Sequence, residues 1–227
     1  MFLTVPKRLA IVDCDGVCLD YNAVFPEVWL KAFGERLSVV RPDCYHARHR
    51  FGIASISPQQ HRVFKEHFGA GEWGRMPALP GAVDGCRDLV RAGYEIVCVT
   101  AMPAEFQPAR LRNLRELGFP IDTVIATGHA QPGANPKLDI VRALQPELFV
   151  DDLASNFRGV PDAVHTALVD QDLWDSPNLD PAAPLPRSRH RSLRHFATWW
   201  LHGSRAVAGW RVRLSSGEGA TLQSLRA

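Results

Sequence analysis

The sequence predicts an α/β protein: a three-layer, Rossmann-like parallel sheet with a small α-helical segment inserted after the first strand. Three observations predict it. Short apolar runs of strand length alternate with amphipathic stretches of helix length over most of the chain. Acidic residues stand where several of the apolar runs end. One stretch, residues 21–79, breaks the alternation with helical patterns alone.

The elements follow in order. Residues 8–12 form an apolar run ending at Asp13, the pattern of a buried parallel strand. In the insert, residues 26–37 place Val28, Trp29, Phe33 and Leu37 at helical spacing, and residues 58–68 also read as helix. Residues 41–50 between them are polar and rich in His and Arg. A helix over 81–92 carries Val83, Cys86, Leu89 and Val90, with Gly93 as its stop. A strand over 94–99 ends at Thr100. A helix over 104–117, with Phe106, Leu111, Leu114 and Leu117 apolar, is closed by Gly118. Residues 123–126 make a third strand. A helix over 136–144 opens on Pro136, where a missing N–H does little harm. Residues 148–150 form a fourth strand ending at Asp151 and Asp152, and residues 164–169 a fifth. Pro177, Pro181, Pro184 and Pro186 mark a loop, followed by a short helix over 192–202. The expected partition is an α/β core of residues 1–20 and 80–175, a helical insert of 21–79, and a basic, proline-containing extension of 176–227.

Composition narrows the function classes. The chain has 227 residues, 46% hydrophobic and 22% charged, enough for one good-sized domain with an insert. A net charge of only +2 argues against nucleic acid as a partner of the whole molecule. No run reaches the roughly 18 apolar residues of a membrane span. Residues 1–8 lack the order of charge, apolar core and small-residue site that marks a signal peptide. The five cysteines include no CxxC pair, and several sit in apolar runs, which fits a reducing cytoplasm.

The strand ends carry the chemistry. Ligands of open α/β sheets bind beyond the carboxyl ends of the strands. Here those ends bear Asp13, Asp15, Thr100, Asp151 and Asp152, with Lys137 at the start of a helix before the last acidic strand. Converging carboxylates repel one another unless paired, and an all-oxygen set suits a hard cation such as Mg2+. In Asp13-Cys14-Asp15-Gly16-Val17, one carboxylate can attack phosphorus while the second reaches the leaving-group oxygen. Gly16 permits a sharp turn beside the phosphate. Thr100 can donate to a phosphoryl oxygen and Lys137 can offset its charge.

These four segments resemble the haloacid dehalogenase (HAD) superfamily. Residues 13–17 match its first motif, DxDGV, and Val97-Cys98-Val99-Thr100 its second, an apolar strand ending in Thr or Ser. Lys137 stands at the third, and Asp151-Asp152-Leu153-Ala154-Ser155-Asn156 is similar to the fourth. The resemblance covers roughly residues 8–170, in order. It implies that Asp13 is the nucleophile and Asp15 the general acid/base. It further implies that Mg2+ is held by the Asp13 carboxylate, the Asp15 carbonyl and Asp152, with Asp151 or Asn156 helping through water. The insert would then be a helical cap of the first type, shorter than many. Relatives that displace halide from carbon lack an acid at the position of Asp15, so the resemblance favours phosphate esters. The expected activity is hydrolysis of a small phosphorylated metabolite, a nucleotide or sugar phosphate, through an aspartyl-phosphate. A phosphotransferase or mutase on the same site, or a non-catalytic phospholigand binder, are the alternatives.

Other groups have plainer readings. Trp29, Tyr45, His46, His49 and Arg50 are candidates to meet the leaving group, while Trp29 and Phe33 also fit insert packing. His46 and His49 lack further ligands for a metal and read as a solvated face. Cys14 alternates into the core. The arginine-rich run 187–195 reads as a solvated tail, and Trp199-Trp200 as a candidate contact with a second copy of the chain.

Overall fold

The computed structural model describes residues 8–128 and 134–214. The leader reading at residues 1–7 and the end of the extension from residue 215 lie outside them. β1 (Arg8–Val12) is followed by the insert: α1 (Tyr21–Phe33), α2 (Ala47–Arg50), α3 (Pro58–Glu66) and α4 (Ala70–Trp73). Then come α5 (Ala82–Arg91), β2 (Tyr94–Thr100), α6 (Gln107–Glu116), β3 (Thr123–Ala126) and α7 (Leu138–Leu144). β4 (Leu148–Asp151), β5 (His165–Val169), β6 (Ser188–His190) and α8 (Leu193–Leu214) complete the order.

The six strands pair in parallel in the order β3-β2-β1-β4-β5-β6. Strand order reverses at β1, which opens a crevice beyond the carboxyl ends of β1 and β4. Alternate side chains go to opposite faces, as the pleat demands. Ala10, Val12, Ile96, Cys98, Leu148 and Val150 join α5, α6 and α8 on one face. Ile11, Val97, Val99 and Phe149 face the other way, onto Val141 of α7 and onto Phe157.

Two helix starts differ from expectation for one reason, the weight given to proline. Asp20 caps α1 by accepting from the Asn22 N–H at 2.9 Å, so α1 begins five residues before Pro26, which sits inside it. Asn135 accepts from the Lys137 N–H at 2.9 Å, and α7 starts only at Leu138, past Pro136. Pro58, by contrast, does open α3, behind a Ser57–Gln60 capping box. The insert has an aromatic centre: Phe25 lies 5.6 Å from Phe51 and 4.8 Å from Phe64 between ring centroids, and Trp29 packs beside them. Trp29 is buried and donates to Glu35, so it builds the insert rather than meeting a ligand.

The solvated-tail reading of 187–195 is corrected. Ser188–His190 is an edge strand registered on Ala167–Val169. A three-residue edge strand with outward Arg189 carries too little apolar signal to be told from a charged loop. Leu193, Phe196 and Ala197 of α8 are buried against α5. At Gly85 of α5, a Cβ would stand 3.0 Å from the Leu193–Arg194 backbone, so the absence of a side chain there lets α8 approach closely. The Trp200 indole donates to the Tyr94 hydroxyl at 2.7 Å and its ring packs on His165. That tryptophan thus has a partner within its own chain.

Candidate active site

The floor of the crevice is a buried ion cluster. Lys137 Nζ lies 2.6 Å from Asp13 Oδ1 and 2.7 Å from Asp151 Oδ2, with only 1% of its side chain exposed. Burial alone would lower the lysine pKa, but the Asp13 and Asp151 carboxylates outweigh it and hold the ammonium charged. Asp151 turns its other oxygen to the Leu153 N–H and the Asn156 amide, each at 2.9 Å. Asp13, Asp151 and Asp152 each bring one oxygen to a common point, all within 4.8 Å of one another. One lysine therefore faces three carboxylates. The imbalance shows in their protonation: burial, against the pull of Lys137, pushes Asp151 up to about 6. Burial, with Asp13 and Asp151 adding to it, raises Asp152 well above the carboxylate range. Three buried oxygen donors short of positive charge fit a hard divalent cation such as Mg2+.

Two residues further on, Asp15 has a separate partner. Its Oδ1 accepts from Arg110 Nη2 at 2.7 Å, and the Arg110 side chain is fully buried while Asp15 keeps 26% exposure towards the cavity. Burial raises the Asp15 pKa, with Arg110 and then Lys137 acting against it. The turn that follows Asp15 depends on Gly16. Its φ is +86°, and a Cβ there would lie 2.2 Å from Asp152 Oδ2. Gly16 thus lets β1 and β4 bring their carboxylates together.

A cavity of about 340 Å³ opens beside this floor. Asp15, Gly16 and Asp152 form one wall; Tyr45, His46 and Arg50 of the insert stand among the residues lining the rest. The Tyr45 hydroxyl donates to Asp152 Oδ2 at 3.1 Å. Thr100 closes β2 and is buried, its carbonyl accepting from the Thr127 N–H at 3.0 Å. Val12 is registered with Cys98, so Asp13 follows that pair by one position on β1 and Thr100 by two on the neighbouring β2.

The structure thus brings Asp13, Asp15, Gly16, Lys137, Asp151, Asp152 and Asn156 to one crevice, with Thr100 at its edge. His49 does not line the cavity; its Nδ1 pairs with Asp175 at 2.5 Å, and no metal cluster forms around His46 and His49 among the described residues. Two site residues escaped the sequence reading. Arg110 falls four positions from both Phe106 and Leu114, a charge on the apolar side of a helix, and that was its one signal. Asn178, in the proline-rich loop, donates to the Asp152 carbonyl and accepts from the Ala154 N–H, both at 2.8 Å. No sequence pattern marks it.

Similarity to solved structures comes through the fold. A haloacid dehalogenase-like family hydrolase from Streptococcus pneumoniae superposes with a TM-score of 0.58 at 14% identity, covering 86% of this chain and 98% of that one. The fold is that of the haloacid dehalogenase-like hydrolases. An L-2-haloacid dehalogenase from Xanthobacter autotrophicus gives a TM-score of 0.55 at 13% identity, covering 86% of this chain and 98% of its own. No family model and no curated protein matches the sequence. No helix among the described residues is long and apolar enough to cross a membrane.

Proposed function

We propose that this haloacid dehalogenase-like protein is a Mg2+-dependent phosphomonoesterase acting in the cytoplasm on a small phosphorylated metabolite. One observation carries the reading: two aspartates two residues apart have different partners, Asp13 on Lys137 and Asp15 on Arg110 at the cavity wall. A halide leaves carbon as a stable anion and needs no proton, whereas an alkoxide leaving phosphorus does. A second carboxyl group beside the nucleophile therefore supports phosphate ester chemistry over the dehalogenation for which the Xanthobacter protein is named.

The residues divide the work. Asp13 attacks phosphorus as the ester P–O bond breaks, and Asp15 gives its proton to the departing alkoxide oxygen. Asp15 then takes a proton from water, which attacks phosphorus; the P–O bond to Asp13 breaks and phosphate leaves. Lys137 orients Asp13 and, with Thr100, offsets charge on the phosphoryl oxygens. Asp13, Asp152 and the Asp15 carbonyl would hold Mg2+, with Asp151 and Asn156 supporting them from behind. When bound, the cation supplies charge neutralisation to the transferring group.

The test is release of phosphate from a panel of phosphomonoesters, and of halide from 2-haloacids, with and without Mg2+. Mg2+-dependent phosphate release that disappears in Asp13→Asn is the expected result. Halide release without phosphate release would overturn the assignment, as would turnover that survives Asp13→Asn. Transfer of phosphate to a second alcohol instead of water would redirect it to a phosphotransferase.

A further inference from the structure

The loop after β5 grips the site from two sides. Asp175 accepts from the Tyr45 N–H, accepts from the His46 N–H at 3.2 Å and pairs with His49 Nδ1, while keeping only 8% of its side chain exposed. Beside it, the Trp174 N–H donates to the Asp43 carbonyl at 2.9 Å, and the Arg41 guanidinium lies 4.2 Å from the centre of the Trp174 ring. Three residues on, Asn178 holds the Asp152 backbone. Asp152 is thus reached twice: through its carbonyl by Asn178, and through its carboxylate by Tyr45.

Tyr45 has no regular element of its own. It precedes α2, whose N-cap His46 makes no side-chain cap bond, and α2 is a single turn. A one-turn helix is too short to fix the residue ahead of it. The contacts that set the Tyr45 backbone come from Asp175, 130 residues away in sequence.

We infer that Asp175 is a positioning residue, clasping residues 43–50 so that the Tyr45 hydroxyl orients the Asp152 carboxylate for the cation. This inference rests on the Mg2+ reading of the site. A hydrogen-bonded partner behind a ligating carboxylate fixes the angle at which it presents its lone pairs, and losing such a partner weakens metal affinity. Asp175 acts on Asp152 only through Tyr45, so removal of either residue removes the same interaction.

The experiment is a double-mutant cycle on the full chain with two readouts: Mg2+ affinity by calorimetry and amide exchange of residues 43–50. Tyr45→Phe should weaken Mg2+ binding about tenfold while the Tyr45 and His46 amides stay protected. Asp175→Ala should weaken binding to a similar degree and speed exchange of those amides about tenfold or more. The double variant should bind Mg2+ no worse than Asp175→Ala alone, and Asp175→Asn, which keeps one acceptor, should recover part of both losses. Thermal unfolding checks that each variant is folded. Additive losses in the double variant, or rapid exchange of these amides in the wild type, would overturn the inference. Absence of any Mg2+ heat in the wild type, with exchange as expected, would remove the cation from the site and leave the clasp standing.

Discussion

The floor of the crevice and the seat of His190 are both closed to solvent, yet one is filled with charge and the other holds none. In the floor, Lys137 lies within 2.7 Å of both Asp13 and Asp151. His190 is 4% exposed, and neither ring nitrogen has a hydrogen-bond partner among the described residues. Rings surround it instead: His195 at 5.3 Å, Phe196 at 5.2 Å and Trp199 at 5.0 Å between centroids. Burial, with His195 and His165 adding to it, pushes the imidazole pKa down to about 4, so it stays neutral. An unpaired neutral group costs the fold about 1–3 kcal/mol. An uncompensated buried charge costs about 3–5 kcal/mol. A structural helix seat tolerates the first cost, whereas an excess of carboxylates persists where a ligand completes the balance.

Breaking the charged floor has the largest expected effect on stability. Lys137→Met leaves three carboxylates without their ammonium and should lower unfolding stability by about 3–5 kcal/mol, read from urea midpoints. Saturating Mg2+ should restore part of the loss, since a ligand bound only by the folded state stabilises it. Wild-type stability in this variant would mean that the floor is protonated rather than ionic. Gly16→Ala aims at geometry instead of charge. Its Cβ would press on Asp152 at 2.2 Å, so Mg2+-dependent phosphate release should fall at least about a hundredfold with a melting point lowered by only a few degrees. Equal activity would show that the Gly16–Asp152 contact relaxes freely.

The neutral seat answers to pH. His190 ordinarily titrates near 6.5 and here near 4, so between these values the unfolded chain binds a proton that the folded chain does not. Its contribution is therefore complete above pH 6.5 and is lost as the pH falls towards 4. The floor carboxylates, raised by burial, act with the opposite sign over an overlapping interval. Chemical denaturation of wild type against His190→Phe isolates the histidine: the wild type should lose stability relative to the variant as pH drops from 7 to 4. A parallel pair of curves would place a proton-accepting partner at His190. Smallest of all, His190→Phe should raise stability at pH 8 by about 1–3 kcal/mol, the cost of the unpaired ring nitrogens.

The same contrast explains what was legible. Asp13, Asp15, Gly16, Thr100, Lys137, Asp151 and Asp152 stand at the ends of runs whose period of two or of 3.6 residues is written in adjacent positions, so they were visible before any packing was known. β6 was not, because three residues at a sheet edge carry almost no period. α1 and α7 were displaced at their starts because an Asp cap, in α1, and an Asn turn ahead of α7 outweigh a nearby proline.

By itself, then, the sequence determined the α/β layering, the helical insert after β1 and the order in which the acidic residues reach one crevice. The tertiary structure alone decided that Arg110 holds Asp15 across 95 residues, that Asn178 supports Asp152 across 26, and that Asp175 seats Tyr45 across 130. Local periodicity reports which face of a strand or helix is buried. It is silent on which distant polar group waits there, because that pairing is set by chain closure and by the need of each buried charge or donor to find a partner once water is gone.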